Sequence, residues 1–201
     1  MLKVGLTGGI GCGKSMVAKM LASKSALLID ADQLAREVVE PGEPAWEEIV
    51  KWLDRDVLLE DNTLDRRRLG EIVFGDEKKL QKLNAIIHPH IAALLSQRSA
   101  QYALSYPDRV QIWEVPLLFE VGMQDKVDYV VVVAASHENQ VKRLRERDRL
   151  PEEEILKRIN SQLPLQEKID AADYVIYNDG TEDHLQQEVD LLWEKIRELA
   201  L

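Results

Sequence analysis

Near the start of the chain an apolar run, Leu2-Lys3-Val4-Gly5-Leu6-Thr7, leads into Gly8-Gly9-Ile10-Gly11-Cys12-Gly13-Lys14-Ser15 and then into apolar-spaced residues from Met16 to Ala22. The first run reads as a short buried strand and the last as the opening of a helix. Gly8 and Gly13, with four residues between them and Lys14-Ser15 after, fit the phosphate-binding loop pattern. The chemistry asks for these residue types. Glycines let successive backbone N–H groups turn inward around a polyphosphate, and the helix N-terminus adds partial positive charge. Lys14 can span the β and γ phosphates as a point charge, and the Ser15 hydroxyl can ligate Mg²⁺. A plain glycine turn between strand and helix is the alternative, and the fitting flanks argue against it.

Further apolar runs follow at Ala26–Asp30, Val110–Val115, Asp128–Ala134 and Tyr174–Tyr177, with helical spacing between most of them. Strands alternating with helices predict a parallel sheet, with ligands at the C-terminal ends of its strands. Asp30 and Asp32 then emerge beside the phosphate loop, either as caps of a helix over Ala31–Val39 or as acids facing an acceptor. Between Pro41 and Ser105 no strand is evident, so this stretch reads as a helical excursion between strands two and three. Its helices are placed over Ala45–Leu53, from Leu64 to about Phe74, and from Asp76 to about Ser105, with Pro89 interrupting or kinking the last. Trp46 and Trp52 read as packing residues. Helices are also expected over His137–Arg149, from Pro151, and over Thr181–Leu201.

A net charge of −10 disfavours a general nucleic-acid binder, so an anionic substrate needs locally gathered cations. No run of 18 or more apolar residues predicts a membrane span. One cysteine and a start that enters a strand directly suit a reducing, cytoplasmic setting. That cysteine, Cys12, precedes a helix N-terminus and neighbours Lys14, which predicts a lowered thiol pKa and fast alkylation.

Local cations are present. Arg143 and Arg147 lie four apart on one helix face after the fourth strand, where they either neutralise a transferring phosphoryl group or, with Glu146 and Asp148, form a salt-bridged solvent surface. Arg66-Arg67-Arg68 offers either solubility or a socket for acceptor phosphates. Glu114 closes the third strand, where an acid can hold a metal-bound water or stand as a paired carboxylate. His88, before Pro89, is either structural or a substrate contact. The histidines and the cysteine show no zinc spacing.

These residues resemble the dephospho-coenzyme A kinase family. The likeness rests on Gly5–Gly11 with Gly13-Lys14-Ser15, Asp30-Ala31-Asp32, Leu64-Asp65-Arg66, Val73-Phe74, Leu83-Asn84 with His88-Pro89, and Pro116-Leu117-Leu118-Phe119-Glu120. It continues through Arg143-Leu144, Arg147-Asp148, Arg158-Ile159, Gln162, Ala172-Asp173 and Asn178. The resemblance implies an α/β P-loop NTPase three-layer fold with a five-stranded parallel sheet from 1–33, 108–135 and 173–201. It also implies a helical acceptor-binding region over about 34–104 and a helical lid over about 143–163. The implied reaction is ATP-dependent phosphorylation of the 3′-hydroxyl of dephospho-coenzyme A, with Mg²⁺, giving coenzyme A and ADP. Asp32 would be the base, with Lys14, Arg143 and Arg147 as the other catalytic groups. Gly8, Gly9, Gly11, Cys12, Gly13, Lys14, Ser15, Met16 and Asn178 would hold the nucleotide, and Ser15 the metal. Asp32, Arg66, His88, Pro116 and Leu117 would contact the acceptor.

Three positions depart from the family's usual pattern. Cys12 replaces a common Ser at little cost, because that position binds through its backbone. Met16 replaces a Thr hydroxyl that could contact the α-phosphate. Gly70 stands where many members carry Arg, leaving Arg68 as the neighbouring cation. A different small-molecule phosphate-loop kinase, or a nucleotide-dependent switch, shares the loop. No Asn-Lys-x-Asp guanine-reading motif supports a GTPase, and an acid at Asp32 with an Arg-rich lid suits a closed transfer site.

Overall fold

Residues buried on both sides of a sheet read as unbroken apolar runs, and five such runs pair here as one parallel sheet in a computed structural model that describes residues 1–73 and 75–200. The strands are β1 (Lys3–Gly8), β2 (Leu27–Asp30), β3 (Gln111–Glu114), β4 (Tyr129–Ala134) and β5 (Tyr174–Tyr177), in the order β2-β3-β1-β4-β5. The five-stranded parallel sheet expected from the sequence is thus present. Register sets Leu6 beside Glu114 and Val131, and Asp30 beside Glu114.

The chain forms two compact units, Met1–Asp30 with Tyr102–Leu201 and Ala31–Gln101. In the sheet unit, alternate residues Val4, Leu6, Ile112, Val131, Val133 and Ile176 bury against two helices. These are α1 (Lys14–Ser23), through Val17, Ala18 and Leu21, and the last helix, Glu182–Leu199, through Leu185, Val189, Leu192 and Ile196. Complete burial of each valine stabilises by roughly 1.5–3 kcal/mol relative to exposure. The last helix is capped by Thr181, whose Oγ1 accepts the His184 N–H at 3.3 Å.

In the helical unit lie α2 (Ala31–Glu37), α3 (Pro44–Leu53), a 3-10 turn at Arg55–Val57, α4 (Arg66–Val73) and most of α5 (Glu77–Ser105). Its core gathers Val38, Ala45, Ile49, Val57, Leu69 and Leu83, with Trp46 and Trp52 packed against it as expected. The sequence carries α4 to about Phe74, which lies outside the described residues, as does Leu201. Two details differ from expectation. An isolated antiparallel bridge joins Leu58 and Leu64 within the stretch expected to hold no strand. Pro89 does not interrupt α5, because losing one N–H costs a helix of this length one bond while its neighbours persist.

Returning to the sheet unit, α6 (His137–Asp148) starts on the Ser136 cap and ends at Arg149 in the left-handed region. α7 (Glu152–Asn160) and α8 (Leu165–Asp170) follow, and α9 is the closing helix Glu182–Leu199.

Candidate active site

β1 ends at Gly8, where φ is +152° and a Cβ would lie 2.2 Å from the Val133 carbonyl oxygen on β4. Any side chain there would push the two central strands apart. Gly13, at φ +90°, is the N-cap of α1, and a Cβ on it would lie 2.2 Å from Nδ2 of Asn178. That close approach lets Asn178, buried just past β5, donate from Nδ2 to the Cys12 carbonyl at 2.8 Å. From α6, Arg143 donates to the Gly11 and Cys12 carbonyls, both at 3.3 Å, and to the Asn178 carbonyl at 2.7 Å. With these carbonyls engaged, their negative ends are held away from an incoming polyphosphate. The loop residues Gly8, Gly9, Gly11, Cys12 and Gly13 are therefore brought together with Arg143 and Asn178, and Lys14, Ser15 and Met16 continue into α1.

The expectation for Cys12 is overturned. Its side chain is fully buried and its Sγ accepts a hydrogen bond from Gln140 Nε2 at 2.9 Å. Burial pushes the thiol pKa up, outweighing the opposing effects of the Gln140 bond and the Lys14 charge. Alkylation of the folded protein is expected to run at least about tenfold slower than that of the unfolded chain, with its rise displaced to higher pH than for a free thiol. Comparing modification rates in native buffer and in denaturant, across pH, checks this. Equal rates would show that the thiol is accessible and reactive.

At the start of α1, Ser15 Oγ donates to Glu114 Oε1 at 2.6 Å. Among the described residues no group of three or more His, Cys, Asp or Glu could hold a metal. A hydroxyl beside one carboxylate fits Mg²⁺, which keeps several waters and takes most of its other oxygens from phosphates.

The two arginines of α6 expected to serve a lid, Arg143 and Arg147, have different surroundings. Arg143 is half-buried on the loop, whereas exposed Arg147 pairs in bidentate fashion with Asp148, Nε to Oδ1 at 2.7 Å and Nη2 to Oδ2 at 3.0 Å. Arg147 holds the Asp148 carboxyl below its usual range, and Arg158 reaches the same carboxylate at 3.4 Å. At the far end of this segment Gln162 Oε1 accepts the Ile10 N–H of the loop at 2.8 Å. A cavity of about 170 Å³ lies there, lined by Gly9, Ile10, Gln140, Asn160, Gln162 and Leu163 among others. Pro116 and Leu117 open the turn after β3, and the Pro116 carbonyl accepts from Thr7 Oγ1 at 3.1 Å. Leu117 is exposed.

Asp32, Arg66 and His88 belong to the helical unit. Asp32 is exposed in the first turn of α2, and His88 is exposed on α5. Arg66 lines a cavity of about 390 Å³ together with Val39, Glu40, Leu59, Thr63 and Leu64. Arg68, the neighbour of Gly70, lies 3.5 Å from Glu71.

Sequence reasoning missed Gln140 and gave Gln162 and Glu120 no role. It also missed α8 with its buried Lys168. Pro164 followed by Leu165 and Ile169, four apart, was the available signal for α8. Neutral amides on charged helices carry no such signal.

Comparison with known proteins fits this geometry. Residues 2–184 match the family model described as dephospho-CoA kinase. The chain is 47% identical over 197 residues to a dephospho-CoA kinase of Thermobifida fusca, covering 98% of this chain and 97% of that one. Among solved structures it is similar to TT1252 from Thermus thermophilus, at 34% identity and TM-score 0.81, covering 96% of this chain and 97% of that one. It is also similar to dephospho-CoA kinase from Campylobacter jejuni, at 28% identity and TM-score 0.75, covering 99% and 98% respectively. A phosphate loop on the central strand of a five-stranded parallel sheet, in a sequence matched almost end to end, places the chain in the dephospho-CoA kinase family, whose members phosphorylate dephospho-CoA with ATP in the final step of coenzyme A biosynthesis.

Proposed function

We propose that this chain carries out its family's reaction at the 3′-hydroxyl of dephospho-coenzyme A, with Mg²⁺-ATP as donor and coenzyme A and ADP as products. The observation that carries the reading is the phosphate loop itself, shaped by Gly8 and Gly13 and held from behind by Arg143 and Asn178. Its amides, from Gly9 through Met16, bind the donor phosphates, and Lys14 neutralises charge on the transferring group. Ser15, supported by Glu114, would hold Mg²⁺, which would supply positive charge to offset that of the donor's phosphates. Asp32 accepts the proton of the acceptor hydroxyl. Arg147 is the lid cation for the phosphoryl group, while Arg143 acts on the loop and Asn178 fixes the nucleotide side of it. Residues of about 34–104 bind the acceptor, with Arg66 and His88 as contacts, and Pro116 and Leu117 are further acceptor contacts. The lid spans about 143–163.

Mass spectrometry of products formed from ATP and dephospho-coenzyme A tests the reading, with NMR locating the added phosphate on the ribose. One phosphate at the 3′ position is the expected result. Hydrolysis of ATP with an unmodified acceptor would instead indicate a nucleotide-dependent switch.

A further inference from the structure

Lys168, on α8, is the one lysine among the described residues that is wholly buried. Its Nζ lies 2.6 Å from Glu120 Oε1 and donates to the Pro116 carbonyl at 3.4 Å. Glu120 Oε1 also accepts the Leu163 N–H at 3.0 Å. The two ends of the turn Pro116–Glu120 are thereby fastened to one ammonium, and the same carboxylate fastens the chain between α7 and α8. One residue before Leu163, Gln162 is bonded to the Ile10 N–H of the phosphate loop. Thr7, next to that loop, holds the Pro116 carbonyl from the other side.

An ion pair with one wholly buried partner is poor evidence for stability alone, since a well-packed neutral pair of similar volume often serves as well. What a neutral pair cannot reproduce is the convergence. An ammonium has three donors and reaches two acceptors here, and a carboxylate oxygen takes both the ammonium and a backbone N–H. The arrangement fixes three segments at one point: the turn carrying Pro116 and Leu117, the distal base of the lid, and through Gln162 the phosphate loop.

We propose that Glu120 and Lys168 are positioning residues of the transfer reaction, an ion pair with a buried lysine and a partly exposed carboxylate that sets the turn after β3 and the distal base of the lid against the phosphate loop. The proposal rests on the functional reading above, in which that turn contacts the acceptor and residues 143–163 close on the donor. Neither residue is placed in contact with substrate. They act through Pro116, Leu163 and Gln162. Small displacements of a positioned reactant are costly, up to about 100-fold for a shift of roughly 1 Å.

The test compares wild type with Glu120→Gln, Lys168→Met and the double variant, reading thermal stability, ATP affinity and steady-state kinetics with dephospho-coenzyme A. Glu120→Gln is expected to lose most stability, because it leaves a wholly buried ammonium without its counter-charge, whereas Lys168→Met leaves a carboxylate that water reaches. The double variant should recover melting temperature to near wild type. Its kcat/KM for the acceptor is nevertheless expected to stay about 10- to 100-fold down, with ATP affinity within about twofold. Glu120→Gln keeps an oxygen for the Leu163 N–H and should lose least activity of the three. Recovery of activity together with stability in the double variant would overturn the proposal and leave the pair a purely structural one. A wild-type protein that forms no coenzyme A would instead refute the functional reading itself, so the two failures are separable.

Discussion

Lys14→Ala is expected to lower turnover by about 10²–10³-fold, equivalent to roughly 3–4 kcal/mol of transition-state stabilisation, the scale of losing one preorganised donor. The physical basis is that phosphoryl transfer leaves little covalent chemistry to the protein, so charge placed before the reaction does most of the work. Lys14 is the first residue of α1, directly after the left-handed Gly13. Its position is therefore set by backbone geometry that Ala also accepts. The buried face of α1, Val17, Ala18 and Leu21, is untouched by the change, so the variant should fold. The measurement is product formation from ATP and dephospho-coenzyme A, with melting temperature as the control. Near-normal turnover in a folded variant would remove the phosphate loop from the mechanism.

Asp32→Asn is expected to lower kcat by at least about 10²-fold, within the range for loss of a general base. If the transition state is associative, the carboxylate must take the acceptor proton early. If it is loose, the proton leaves late and Asp32 chiefly orients the hydroxyl. Both routes predict a change in turnover with ATP affinity altered by less than roughly threefold, under about 0.7 kcal/mol. Asp30→Asn is the necessary companion. Asp30 ends β2 in register with Glu114, whereas Asp32 stands exposed in the first turn of α2. Single-turnover phosphorylation alongside equilibrium ATP binding separates the two acids. Wild-type chemistry in Asp32→Asn with loss in Asp30→Asn would reverse their roles, and no effect in either would reduce both to local structure.

The sheet was legible because its inner strands are buried on both faces and so appear as apolar runs, β4 most plainly with Val130 to Val133 all buried. The phosphate loop was legible because its glycines are demanded by backbone conformation, and conformation is written in residue type. What stayed hidden depends on where a side chain points. Cys12 illustrates this. Its neighbours in sequence, a lysine and a helix start, argue for a reactive thiol, but burial decides its pKa, and burial of one loop side chain leaves no mark in the sequence. Arg143 and Arg147 show the same gap. Four-residue spacing puts both on one helix, yet one meets loop carbonyls and the other a neighbouring carboxylate. α8 escaped notice because its only fully buried side chain is a lysine, which reads as surface until its partner Glu120 is seen.

The strand order has a consequence for the order of assembly. β1 is made first, but both of its neighbours are made late: Lys3 pairs with Gln111 on β3, and Val4 pairs with Tyr129 on β4. During synthesis the first strand must therefore wait, unpaired, while the whole helical stretch Ala31–Gln101 leaves the ribosome. Such distant pairings fold slowly, because loop closure is incurred before any contact rewards it. Gly8 cannot take up its crossing with Val133, nor Gly13 its contact with Asn178, until those partners exist. A nascent chain therefore has no finished nucleotide site through most of its synthesis. Once β3 and β4 have closed on either side, the same innermost strand is among the last parts of the sheet to open, and the site it carries lasts as long as the fold does.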